Sequence, residues 1–253
     1  MARKHAVHLI LIALLLTACE RSSLSVDVVG PRDIPGSDCS NELSATENTS
    51  PAGQEASGDV DGDGSDDKVT IALDPAGDRG CKSFLVVTAR DGDAIYSTAV
   101  DPSGVPRSLP APSLSSLVEL NGDPGLEAIV NVEAGASTQF VAAFTLTDRG
   151  LEQIAVEGKG PGPFAETGQD LFAFGGSVGH IEGVDCGDNG LVHLVAAIPV
   201  GDSAETYRVD HRFFRPDGTK LVLDSSLNAT ERLSASDLAT VPGFSTSPFG
   251  SCD

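Results

Sequence analysis

The stretch GDVDGDGSDDKVTIAL, Gly58 to Leu73, sets five aspartates between positions 59 and 67 and then turns without a break into a β-branched, apolar run. Carboxylates this close repel one another by about 1 to 4 kcal/mol per pair unless something neutralises them. The loop is therefore either screened by water and salt or wrapped round a cation. With Asp59 as position one, Asp59, Asp61 and Asp63 fall at one, three and five, and Asp67 at nine. Ser65 at seven offers a backbone carbonyl, and Gly64 at six permits the turn that bends the loop round an ion. That spacing of oxygens suits a hard cation. Calcium fits better than magnesium, because a flexible ring supplies about six to eight ligands where magnesium demands a tight octahedron. An EF-hand is excluded: its twelfth position would be Glu and is Thr70, and its exiting helix would have to begin in KVTIAL.

Two fainter echoes of the stretch lie further on, VELNGDPGLEAIVNV from Val118 and GVDCGDNGLVHLVAAIP from Gly183. Asp63, Asp123 and Asp188 align, 60 and 65 residues apart, each in a Gly-Asp pair ahead of a further glycine and an apolar strand. The segment after each acidic stretch repeats as well. KSFLVVTAR and AIYSTAV flank a turn at Asp91–Asp93, TQFVAAFTL and LEQIAV flank TDRG, and ETYRVDHRFF and KLVLD flank RPDGT. Each unit reads acidic loop, strand, connection, strand, tight turn, strand. The predicted fold is all-β and antiparallel, about three blade-like units at 57–110, 111–170 and 171–228 with a tail at 229–253, arranged as a small or incomplete propeller or another closed β arrangement. Only TERLSASDLATV, from Thr230, carries a helical signal, for one short helix.

The chain begins with Arg3 and Lys4 and an apolar run, Val7 to Leu16, too short to span a bilayer comfortably. Residues 1–18 are the expected export signal. Leu16-Thr17-Ala18-Cys19 resembles the lipobox of bacterial lipoproteins, which implies a lipid on Cys19 and a membrane-anchored domain facing away from the cytoplasm. Residues 20–56, rich in Ser, Pro, Gly, Asn and Glu, read as a tether. Loss of residues 1–18 removes Arg3 and Lys4 from 16 basic residues set against 37 acidic ones, leaving a net charge of −23. So acidic a chain repels phosphate backbones and excludes nucleic acid as a partner; it suits a cation. Cys39, Cys81, Cys186 and Cys252 remain, an even number in an oxidising compartment. Their spacing selects none of the three pairings. Cys39 with Cys81 and Cys186 with Cys252 is the expected one, since each would fasten a terminal segment to the body.

The third unit, extended backwards, reads FGGSV at 174–178 before GVDCGDNG, and here the chain resembles the FG-GAP repeats that build the propeller blades of integrin α-subunits and many bacterial surface proteins. Their pattern is roughly Phe-Gly-x-Ser-Val, a gap, Gly-Asp-x-x-Gly-Asp-Gly-x-x-Asp, and an apolar strand ending Gly-Ala-Pro. Gly58, Asp59, Gly62, Asp63, Gly64 and Asp67 match its acidic half, and Phe174, Gly175, Ser177 and Val178 its FG half. The resemblance covers about residues 57–224. It implies calcium at Asp59, Asp61, Asp63, Ser65 and Asp67. The second loop offers oxygens at Glu119, Asn121, Asp123 and Glu127, but Pro124 replaces a glycine there, so it makes a weaker second site. The third has Val184 and Val192 at positions one and nine and is expected to be metal-free and held by a disulfide.

Gly175 to Gly179, GGSVG, also matches the G-x-S-x-G elbow of serine hydrolases, with His180 beside it. The elbow needs a helix after the serine and a mostly parallel sheet, whereas an acidic loop comes next, so repeat membership explains the residues more simply. His193 alternates with apolar neighbours and reads as a strand residue; His211, between Asp210 and Arg212, reads as solvated. No tryptophan offers an aromatic platform for sugars. The expected function is a non-catalytic surface module for adhesion, binding of an extracellular protein or glycan, or envelope scaffolding; the alternatives are a secreted hydrolase using Ser177 and a purely structural envelope protein.

Overall fold

The computed structural model describes residues 50–73, 83–89, 92, 94–100, 112–163, 170–187, 190–201, 204–244 and 247–252. The export segment, Cys19, Cys39 and Cys81 lie outside these residues. All described residues belong to one compact unit, Pro31–Asp253. They form strands and short 3₁₀ turns with no α-helix among them; hence no described helix is long and apolar enough to cross a membrane.

Three antiparallel meanders carry the repeat. The first is a sheet in chain order, β1 (Ser50–Gly58), β2 (Asp67–Leu73), β3 (Ser83–Thr88) and β4 (Ile95–Ala99). The second comprises β5 (Ser113–Val118), β6 (Glu127–Ala134), β7 (Thr138–Thr147) and β8 (Gly150–Gln153), and β9 (Ala155–Glu157) and β10 (Phe172–Ser177) come after it. The third comprises β11 (His180–Gly187), β12 (Leu191–Pro199), β13 (Thr206–Asp217) and β14 (Lys220–Leu223), with β15 (Ala229–Ser234) after it. Strand β7 is long enough to pair β8 along one half and β10 along the other. Strand β13 repeats the arrangement with β14 and β15. Because β10 turns directly into β11, the second and third units share one sheet of eleven strands, and β9 joins its far end in parallel with β14. The strand order of both sheets is open.

Strand β2 reads KVTIAL because its faces alternate, with Val69 and Ile71 inside and Lys68 outside. The middle unit is apolar on both faces. Val130, Phe140, Ala142 and Phe144 join Val69, Ile71, Leu85 and Val87 of the first unit in one core. Ile129, Val141 and Ala143 turn the other way, into a core with Val184, Val192, Phe214 and Leu221 of the third. A third core packs Val195, Ala197, Tyr207 and Val209 under Leu238 and Val241 of the tail.

Two expectations are corrected. The tether does not run to residue 56: β1 begins at Ser50 and pairs with β2 as far as Leu73. Pro51 hides it in the sequence, and as an edge strand β1 tolerates the missing N–H. The segment from Thr230 is strand β15 followed by a 3₁₀ turn at Leu238–Thr240, not a helix. Cross-strand pairing with Thr206–His211 overrides its helical propensity.

Cys186 and Cys252 form a disulfide, which fastens the tail to the third loop. Closing a loop of 66 residues restricts the unfolded chain by about 4 kcal/mol on the chain-entropy account. Cys186→Ser should lower the denaturant midpoint by a corresponding amount, and an unchanged midpoint would show that the tail docks without the bond.

Candidate metal centre

The first loop leaves β1 at Gly58 and enters β2 at Asp67. The Asp67 carboxylate is buried, and its Oδ2 accepts the N–H groups of Val60 and Asp61 at 3.0 and 3.1 Å. Asp59 Oδ2 accepts the Gly64 N–H at 2.9 Å. Asp61 Oδ1 accepts from Asp63 at 3.1 Å, and Asp63 Oδ1 from Ser65 at 2.7 Å. Gly64 takes φ +86°, the left-handed turn its position requires. These bonds bring one oxygen each of Asp59, Asp61 and Asp67 within 4.8 Å of one another. Asp63, expected beside them, is drawn into successive turns of the loop and does not join that group of carboxylates. Asp59 Oδ1 is buried and finds no hydrogen-bond partner among the described residues. The Asp61 carboxyl is held above its ordinary range by desolvation and by the charges of Asp67, Asp63 and Asp59, against a lowering bond from the Asp63 N–H. An all-oxygen set with a buried lone pair unmet fits a hard cation.

The second loop, between β5 and β6, repeats the frame with both oxygens of its ninth-position carboxylate, Glu127, bonded. Glu127 is 1% exposed; Oε2 accepts the Leu120 N–H at 2.8 Å and Oε1 the Thr145 hydroxyl at 3.0 Å. Glu119 accepts from the Gly122 N–H and Asn121 Oδ1 from the Asp123 N–H, both at 2.7 Å. Thr145, eighteen residues beyond Glu127, carries no sequence signal for this role. In the third loop Asp188 lies outside the described residues, and Val184 and Val192 are fully buried. Asp185 Oδ1 instead accepts the Ser251 N–H at 2.8 Å, beside the Cys186–Cys252 bond.

The GGSVG motif forms the hairpin between β10 and β11 rather than a strand-to-helix elbow. Ser177 is exposed, and its Oγ accepts the Gly179 N–H at 3.3 Å. His180 Nδ1 lies 2.7 Å from Oε2 of the buried Glu182. His193 is interior, stacked on Phe213 with ring centroids 4.6 Å apart. Its Nε2 meets His211 Nδ1 at 3.0 Å, and His211 Nε2 meets Glu231 at 3.1 Å. His211, expected in solvent, is thus bonded on both sides, because its place on β13 between β12 and β15 sets it between those partners.

No family model, curated protein or solved structure matches the chain.

Two interior groups respond to pH in opposite directions. Burial pushes Glu127 up to about 7 from an ordinary 4.5. Burial, with the His211 charge, pushes His193 down to about 4 from 6.5. Glu127 therefore contributes stability below pH 4.5 that is lost as pH rises through 7, and His193 contributes above pH 6.5 stability lost as pH falls through 4. The two shifts thus oppose each other over the same pH range. Glu127→Gln, which keeps the shape, should raise stability at pH 8 and not at pH 4. Equal effects at both would discount the buried charge.

Proposed function

We propose that the chain is a lipid-anchored, non-catalytic surface module whose first acidic loop binds calcium as a structural ion. The reading is carried by the convergence of Asp59, Asp61 and Asp67 together with the buried, unpartnered Oδ1 of Asp59. Without an ion that oxygen is desolvated with nothing in return, and three carboxylates repel across the loop. A cation relieves both, and it fixes the entry to β2, whose Val69 and Ile71 anchor the first core. The resemblance to FG-GAP repeats supports the same ion at the same loop, and a net charge of −23 after loss of the signal favours cation approach. The lipobox-like Leu16 to Cys19 and the even number of cysteines beyond it support export and anchoring. Adhesion, binding of an extracellular protein or glycan, or scaffolding follows from the resemblance.

Calcium added to the chelator-stripped chain should bind saturably, with a dissociation constant on the order of 10⁻⁴ M. At a hundredfold excess over that constant it should stabilise the fold by about 2.7 kcal/mol, read as a rise in melting temperature. Asp59→Asn and Asp61→Asn should abolish the rise, and Asp63→Asn should reduce it less, since Asp63 stands outside the converging group. No heat and no rise would overturn the reading.

A hydrolase using Ser177 is the second reading, favoured by the His180–Glu182 contact on the strand facing Ser177. Ser177 should then label with a serine-directed phosphonate, and His180→Ala should abolish the labelling; an unlabelled native chain removes this reading.

A further inference from the structure

The two acidic loops are built against each other, although 60 residues separate Asp63 from Asp123. Leu126, just before Glu127, donates its N–H to the main-chain carbonyl of Asp59 at 2.8 Å. A Cβ on Gly62 would fall 1.7 Å from the carbonyl oxygen of Pro124, and one on Gly125 would fall 2.7 Å from the carbonyl oxygen of Val60. A Cβ on Gly58 would fall 2.9 Å from the Leu126 side chain. The backbone from Pro124 to Leu126 is therefore a wall along the backbone from Gly58 to Gly62, the segment that carries Asp59 and Asp61.

Side chains of its own loop support the wall. Glu127 closes the second loop on the Leu120 N–H and the Thr145 hydroxyl. Proline at 124 fixes its own φ and so steadies the carbonyl that sits on Gly62. Pro124, which departs from the repeat pattern, thus stands in a loop that the Glu127 and Thr145 side chains also hold. Side chains larger than hydrogen at 62 and 125 would force the two loops apart, and backbone atoms on each side leave neither room to move.

We propose that the second loop is the metal-free half of a two-loop calcium centre, in which Pro124, Gly125 and Leu126 set the positions of Asp59 and Asp61 and so set the affinity for the ion. The inference rests on the calcium reading above. These three are positioning residues: they act through the Asp59 and Val60 main chain and supply no ligand atom.

The test is calorimetric titration of calcium chloride into the full chain and into two variants, Gly125→Ala and Gly122→Ala. Both glycines have positive φ, +150° and +78°, but a Cβ on Gly122 meets nothing within 4 Å. Gly122→Ala therefore carries backbone strain in the same loop without the clash. Gly125→Ala should weaken binding about tenfold or more, and Gly122→Ala by no more than about threefold. Equal affinities in the Gly125→Ala variant and the native chain would overturn the proposal while leaving the calcium site in place. Should Gly125→Ala fail to fold, hydrogen exchange on the native chain decides. Saturating calcium should slow exchange at the Leu126 amide, and an unchanged rate there would overturn the coupling. A native chain that binds no calcium overturns both readings together.

Discussion

A carboxylate at the ninth position of an acidic loop, turned inward to accept the amide at the second, is the constraint on which this fold depends. Asp67 does this for Val60 and Glu127 for Leu120, across the same interval of seven residues. The bond ties the segment entering each loop to the strand leaving it. An unmet buried carboxylate would be costly, and these are tolerated because backbone N–H groups meet them. Glu127, one methylene longer than Asp67, also reaches Thr145 on β7 and so needs nothing else. The first loop stays short of one donor at Asp59, and that shortfall separates it from the second.

The third unit lacks the acid, with Val192 at its place, and solves the same problem from outside. Asp185, one position after Val184, bonds the Ser251 main chain, and the disulfide between Cys186 and Cys252 holds the tail against the loop. Phe249 adds an edge-to-face contact with Phe172, centroids 5.2 Å apart. One loop is closed by a carboxylate beside two converging aspartates, one by a carboxylate and a hydroxyl, and one by a covalent tail.

Much of this is legible in local spacing. The alternation of KVTIAL, the turns TDRG and RPDGT, and the Gly-Asp echoes fix strands, hairpins and the repeat, since each depends on neighbours in sequence. The pairing of Cys186 with Cys252 is one of three that the spacing leaves open, and the fold selects it by bringing the tail against the third loop. The rest requires contacts that no local pattern encodes. Pro124 reads as damage to a metal loop until its carbonyl is found against Gly62. Thr145 is an ordinary strand threonine until it meets Glu127. Strand β15 looks helical because its partner, the first half of β13, lies some twenty residues upstream, and β1 is hidden because Ser, Pro and Gly resemble a linker when the strand they pair with is not in view. His211 carries a polar sequence environment, yet its two neighbours in space are His193 and Glu231.

The middle unit, apolar on both faces, cannot stand alone, and each outer unit exists partly to cover it. On the third unit the far face is itself roofed by Leu238 and Val241. A stack of sheets ordinarily grows by offering its last face to the next member, and a series of this kind must be stopped by a segment that is not another repeat. Here that segment is a 3₁₀ turn and its flanks, too irregular to serve as a platform for a further strand layer. Leu238 and Val241 therefore occupy, on the outer face of the third unit, the apolar contacts that a further strand layer would need.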